Sequence, residues 1–260
     1  MKIFQVDAFS DRLFSGNPAA VIPLEKWPET DLMQMIASEN NLSETAFFVP
    51  LKDGSYHIRW FTPKTEVELC GHATLASAHV LFTHLNFDRE EVVFNSHSGK
   101  LSVKQSGSTY WLNFPAQPPM PVKSPKLLPE AIGTIPIYTG TNVDLLVLVT
   151  GESIVRNMKP DMEILKRLDI RGVIVTAPSD REDTDFVSRF FAPAVGVPED
   201  PVTGSAHTVL TPFWSKRLDK KDMQAHQISK RGGRLHCKMA GERVYIGGSA
   251  ITYLTGTITV

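Results

Sequence analysis

A five-residue signature occurs twice in this chain, half a chain apart. Arg59-Trp60-Phe61-Thr62-Pro63 is answered by Arg189-Phe190-Phe191-Ala192-Pro193, at an offset of 130 residues in a total of 260. A Gly-x-Ala triplet follows each copy, Gly71-His72-Ala73 and then Gly204-Ser205-Ala206, at an offset of 133, so an insertion of three residues in the connecting loop reconciles the two. A fainter echo pairs Ser15–Ile22 with Thr139–Leu146, each a Gly turn running into an apolar strand. Agreement of order, spacing and element type predicts one structural unit used twice.

The seam between the units is marked by proline. Pro115, Pro118, Pro119, Pro121, Pro125 and Pro129 fall within 15 residues, and proline fixes φ while removing a backbone donor, which predicts neither helix nor central strand there. The expected organisation is a first domain over 1–116, a linker over 117–129 and a second domain over 130–260, with the last strand free to return to the first domain. Val, Ile, Phe, Tyr and Trp runs bounded by turn residues predict strands at 2–9, 18–23, 45–50, 56–62, 91–96, 99–105 and 109–114. The second half reads the same way at 134–138, 144–150, 172–177, 185–192, 226–231, 234–239, 242–247 and 251–259. Helices are expected at 30–40, 72–85 and 204–216. The one at 72–85 is apolar on nearly every side, the mark of a helix buried at the centre of a domain. The predicted class is therefore α+β, each half a curled sheet wrapped around one helix.

Composition narrows the functional classes. Hydrophobic residues make up 42 % of the chain, enough for a core, and 27 basic against 28 acidic residues leave a net charge of −1. Neither disorder nor electrostatically driven nucleic-acid binding fits that balance. The only cysteines are Cys70 and Cys237, so a disulfide framework is not expected and a reducing cytoplasm is the natural setting. Met1–Asp7 alternates like a strand rather than a leader, and no segment approaches the ~18 uninterrupted apolar residues that predict a membrane span.

The chemistry concentrates where the two core helices begin. Cys70 precedes Gly71-His72, and Asp200-Pro201-Val202-Thr203 precedes Gly204-Ser205. The first backbone N–H groups of a helix lack intrahelical partners and carry the positive end of its dipole, so a carboxylate can be held there. Glycine admits a ligand close to the backbone. At the offset of 130, Cys70 and Asp200 are repeat equivalents, and equivalent positions can face one another across a cleft between domains.

Several motifs resemble the PhzF-like isomerases of the phenazine-biosynthesis family, which share the diaminopimelate epimerase fold. They are Asp7-Ala8-Phe9, Gly16-Asn17-Pro18-Ala19-Ala20-Val21, Asn41-Leu42-Ser43-Glu44-Thr45-Ala46-Phe47, Phe61-Thr62-Pro63 with Glu68-Leu69-Cys70-Gly71-His72-Ala73-Thr74, and Glu199-Asp200-Pro201-Val202-Thr203-Gly204-Ser205-Ala206. They occur in family order along essentially the whole chain. The resemblance implies two pseudo-symmetric epimerase-like domains and a cofactor-independent isomerase acting on a small carboxylate-bearing molecule. It makes Glu44 the general acid/base, matches His72 and Asp200 to the catalytic machinery, and gives Asn17, Cys70, Gly71, Gly204 and Ser205 to substrate binding. A homodimer is a family expectation. Moving a proton next to a carboxylate needs a positioned carboxyl group and donors for the developing charge.

Two alternatives stay open. Diaminopimelate epimerase uses one cysteine from each half. Here a cysteine stands at the first of the two positions only, Cys70, so an epimerase reading pairs Cys70 with Asp200. A non-catalytic small-molecule binding protein would keep the cleft without turnover. Cys70 activated by His72 as a nucleophile matches no recognised spacing. A metal site is not expected, because the eight histidines include no HExxH. No dinucleotide or P-loop glycine motif is present, and Lys216-Arg217 with Lys220-Lys221 reads as a solvated helix end.

Overall fold

A computed structural model of the chain describes residues 1–260. Tertiary contacts divide it into two units, Met1–Asn113 with Gly247–Val260, and Phe114–Ile246. The first unit contains β1 (Lys2–Ala8), β2 (Asn17–Pro23), α1 (Thr30–Asn40), β3 (Glu44–Pro50), β4 (Tyr56–Phe61), β5 (Glu66–Val67), α2 (Gly71–His84), β6 (Glu91–Ser96), β7 (Gly99–Ser106) and β8 (Thr109–Pro115). A crossover through α1 makes β2 and β3 parallel, with Ala19 opposite Glu44. β3 and β4 are antiparallel with Phe47 opposite Arg59, and β4 pairs antiparallel with β5, Trp60 facing Val67. After α2 the chain returns as β6, parallel to β4, and continues through the antiparallel β7 and β8. α1 stops at Asn41, whose φ of 47° places it in the left-handed region that asparagine tolerates at a helix end.

α2 is the centre of this unit. Residues 72–81 are buried without a break, and the helix packs on β1, β2, β3 and β7, so the sheet curls around it. Full burial of an aliphatic side chain such as Leu75 or Val80 contributes about 1.5–3 kcal/mol.

The second unit runs through β9 (Met120–Pro121), α3 (Leu128–Ile132), β10 (Tyr138–Thr141), β11 (Leu145–Leu148), α4 (Glu152–Asn157), α5 (Met162–Lys166), β12 (Val173–Pro178), β13 (Phe186–Ala192), β14 (Val197–Asp200), α6 (Gly204–Leu218), β15 (Asp222–Gln227), β16 (Gly233–Ala240) and β17 (Arg243–Gly248). Its pairing has the same order and sense as that of the first unit. β11 and β12 are parallel, β12 and β13 antiparallel with Val175 opposite Arg189, β13 and β14 antiparallel, and β13 and β15 parallel. Both arginines of the signature make a bidentate ion pair, Arg59 with Glu66 at 2.7 Å and Arg189 with Glu199 at 2.6 and 2.9 Å. Inside the unit, Trp214 of α6 stacks on Phe186 at 5.5 Å and donates from Nε1 to Thr176. The final strand, β18 (Ala250–Thr257), pairs antiparallel with β1 along its whole length, and α2 packs on it as well.

Three expectations are corrected. Proline does not exclude a helix from the seam: Pro129 sits in the first turn of α3, where its missing N–H had no intrahelical acceptor to serve. The strand expected at 226–231 lies at 222–227, because Ser229–Gly232 forms a turn, with Gly232 at φ 67° and its N–H donating to Ser229 Oγ. The strand expected at 134–138 begins only at Tyr138. The short helices α4 and α5 were not foreseen.

Candidate active site

Three chain segments in the first unit bring Asn17, Glu44, Cys70, Gly71 and His72 together. Gly16 turns the chain into β2 with φ 72°, and a Cβ there would lie 2.2 Å from the Ala8 carbonyl oxygen, so only glycine can deliver Asn17 to its fully buried place. Glu44 is the first residue of β3, beside β2. Cys70 is the N-cap of α2 in extended conformation, which puts Gly71 and His72 in the first helical turn. The imidazole lies at the middle of the cluster. His72 Nδ1 faces Asn17 Nδ2 at 3.2 Å and Cys70 Sγ at 3.5 Å, while Nε2 lies 3.1 Å from Glu44 Oε2. That last contact is an ion-pair approach outside hydrogen-bond alignment, which leaves Oε2 and Nε2 buried with no hydrogen-bond partner.

Burial sets the charge states. For His72, burial by itself disfavours the imidazolium, but the Cys70 sulfur and the Glu44 carboxylate beside it prevail and hold it well above the usual histidine range. Burial pushes the Cys70 thiol up to about 11, and the Glu44 charge adds to the effect. Cys70 is therefore a thiol at neutral pH and a poor base or nucleophile. Glu44, Cys70 and His72 also offer three metal-ligand atoms within 4.8 Å of one another. Motif spacing along one helix could not reveal that set, because its members come from a strand and a helix cap.

The second unit holds a separate cluster. Asp200 ends β14 opposite Phe190 and accepts a 2.5 Å hydrogen bond from the Thr203 hydroxyl. Gly204 and Ser205 are the first two residues of α6, Gly204 buried and Ser205 half-buried. Gln227 at the end of β15 donates from Nε2 to the Asp200 carbonyl at 2.7 Å and accepts from Thr203 N–H at 2.8 Å. His207 donates from Nδ1 to the Thr203 carbonyl at 2.8 Å, and burial lowers its pKa to about 4, so it is neutral.

The equivalence of Cys70 and Asp200 is corrected by these pairings. Trp60 faces Val67 in the first unit and Phe190 faces Asp200 in the second, while Glu66 and Glu199 hold matching arginines. Asp200 thus occupies the place of Val67. The three-residue insertion is the 3-10 turn Pro193–Val195, upstream of β14, and it shifts the counterpart of Cys70 to Thr203, the N-cap of α6.

The sequence matches the family described as phenazine biosynthesis-like protein over residues 6–256. The chain belongs to this family. An uncharacterized isomerase of Pseudomonas aeruginosa is 51 % identical over 258 residues, covering 99 % of this chain and 98 % of that relative. The crystal structure of a PhzF-family protein from Enterococcus faecalis superimposes with a TM-score of 0.97 at 45 % identity, covering 100 % of this chain and 99 % of that one. A probable proline racemase from Agrobacterium radiobacter shares the fold alone, with a TM-score of 0.63 at 11 % identity over 100 % of this chain and 93 % of the other. This PhzF-family chain therefore has the α+β, diaminopimelate epimerase-like fold that the sequence predicted.

Sequence reading missed two residues of this family member's second cluster, Thr203 and Gln227. Thr203 was visible only as part of a motif. Gln227 carried no signal: it lies inside the strand expected at 226–231, but nothing in the sequence sets it beside Asp200 and Thr203.

Proposed function

We propose that this isomerase moves a proton between carbon positions of a small carboxylate-bearing metabolite, with Glu44 as the general acid/base. The observation that carries the reading is the Glu44 carboxylate held 3.1 Å from a buried imidazole whose protonated form is favoured. An imidazolium at that distance fixes the direction of the carboxylate that is to accept a proton from carbon. Asn17, also within reach of the ring, limits its rotation. Once the proton is on Glu44, negative charge resides on the substrate, where the opening N–H groups of α2 and the His72 cation can stabilise it. Returning the proton to a different carbon completes an isomerisation that uses side chains alone. Asp200, Gly204 and Ser205 are assigned to substrate positioning on the family motif, and internal duplication within the chain, a cytoplasmic setting and a homodimer of such chains remain parts of this reading.

Solvent deuterium incorporation into a panel of small unsaturated and amino carboxylates tests it. Wild type should label at least one member, and Glu44→Gln should lose at least about 100-fold, the lower end of what a positioned acid/base contributes. Equal labelling by both proteins would overturn the assignment. Cys70→Ala should retain most of the rate; collapse there would instead favour a cysteine-dependent epimerase. Tight binding without labelling would identify a binding protein.

A further inference from the structure

The cluster at the head of α2 contains more donor chemistry than proton transfer at Glu44 uses. A carboxylate oxygen, a sulfur and a ring nitrogen from Glu44, Cys70 and His72 lie within 4.8 Å of one another. They are fixed by the start of β3 and by the cap and first turn of α2. Cys70 and His72 are buried, while the Glu44 side chain, 17 % exposed, keeps the set open to solvent. Glu44 Oε2 and His72 Nε2 are both buried and face each other at 3.1 Å as an ion pair outside hydrogen-bond alignment. A cation that takes the Glu44 carboxylate and a His72 nitrogen as ligands replaces that contact with two metal bonds.

We propose that Glu44, Cys70 and His72 bind a divalent transition metal of the Zn²⁺ class, and that the metal-bound protein is an inactive form. Binding replaces the Cys70 S–H bond with an S–metal bond and displaces the proton on the coordinating nitrogen of the His72 imidazolium, so two protons leave to solvent, while the carboxylate and the freed imidazole nitrogen donate lone pairs. One carboxylate and one thiolate balance the two positive charges, so the occupied site is neutral, as burial requires. Sulfur and nitrogen ligands select Zn²⁺ or Co²⁺ over Mg²⁺ and Ca²⁺, which take oxygen. The three donors leave a fourth position for water or a small anion. To reach the metal, the His72 ring exchanges its contact with Glu44 or Asn17 for a metal bond.

Loss of activity rests on the assignment of Glu44 to proton transfer; metal binding does not. Co²⁺ titrated into the full chain should produce a thiolate-to-metal charge-transfer band that saturates at one equivalent and disappears on adding Zn²⁺. Cys70→Ser should lack the band, His72→Gln should weaken Co²⁺ binding at least tenfold, and Cys237→Ser should keep the band, each variant being checked for cooperative thermal unfolding. No thiolate band at millimolar Co²⁺, or a band that survives in Cys70→Ser, overturns the site. Undiminished deuterium labelling by wild type at saturating Zn²⁺ overturns the inactive form. If Glu44→Gln labels as well as wild type, the function assignment fails while the Co²⁺ band still decides the metal site.

Discussion

Gln227 has no exposed surface, and its amide closes the turn that leads from Asp200 into α6. Replacing it by leucine keeps the volume approximately and removes three hydrogen bonds, those with the Thr203 N–H and the Asp200 carbonyl and one from Nε2 to the Thr203 hydroxyl at 3.2 Å. The Thr203 N–H and Asp200 carbonyl would then be left without these partners, at about 1–3 kcal/mol each. Gln227→Leu should therefore lower the urea midpoint and raise KM for whichever carboxylate is labelled; unchanged stability would show that the amide is not holding the turn. At this scale the sequence revealed chemistry one segment at a time. Glu44, Cys70 and His72 stood out in motifs, but their convergence depends on Gly16 and the β2–β3 register, which are tertiary facts. Cys70 and Asp200 looked equivalent because an offset counts residues, whereas the Pro193–Val195 turn changes which residue lies opposite which.

Among the elements, α2 was the most legible, because an all-round apolar helix has only one stable place, inside its sheet. α3, α4 and α5 were not, since helices of five or six residues carry too little periodicity to read. α2 also carries two histidines near its C-terminal end. His79 contacts Tyr110 of β8 at 3.0 Å and Thr252 of β18 at 2.9 Å, and His84 reaches the same Thr252 hydroxyl at 2.8 Å. Thr252 has one hydroxyl proton, so it donates to one imidazole and accepts from the other, an arrangement that needs the accepting ring neutral and is lost when both rings are protonated. Burial, with His84 adding to it, lowers His79 to about 4 from 6.5. A histidine depressed in the fold leaves stability intact above the unfolded value of 6.5 and erodes it as pH falls toward about 4, where the unfolded chain binds a proton that the fold refuses. A depression of this size amounts to roughly 3 kcal/mol. Urea midpoints should fall between pH 7 and pH 4.5, and His79→Gln should flatten part of that fall. An identical pH slope in the variant would remove His79 from the account.

For the whole molecule, the division of the chain makes its last strand decisive. β18 belongs with the first unit although it is the last element in sequence, and it gives β1 a partner from Lys2 to Ala8. Met1 N donates to the Ile258 carbonyl at 2.6 Å, so the end of β18 lies beside the start of β1. Residues 1–113 alone would expose the β1 edge and leave His79 and His84 without Thr252. That fragment should aggregate or give a collapsed, poorly dispersed amide spectrum. Fusing residues 247–260 ahead of Met1 through a short flexible linker converts the β18–β1 pair into a hairpin, and the fused fragment should unfold cooperatively. Residues 114–246 retain a core around Phe191, Val147 and Val175 that draws on no residue of the first unit, so that fragment should fold by itself. Cooperative melting of residues 1–113 without β18, matching the fused fragment, would show that the strand completes nothing the first unit needs.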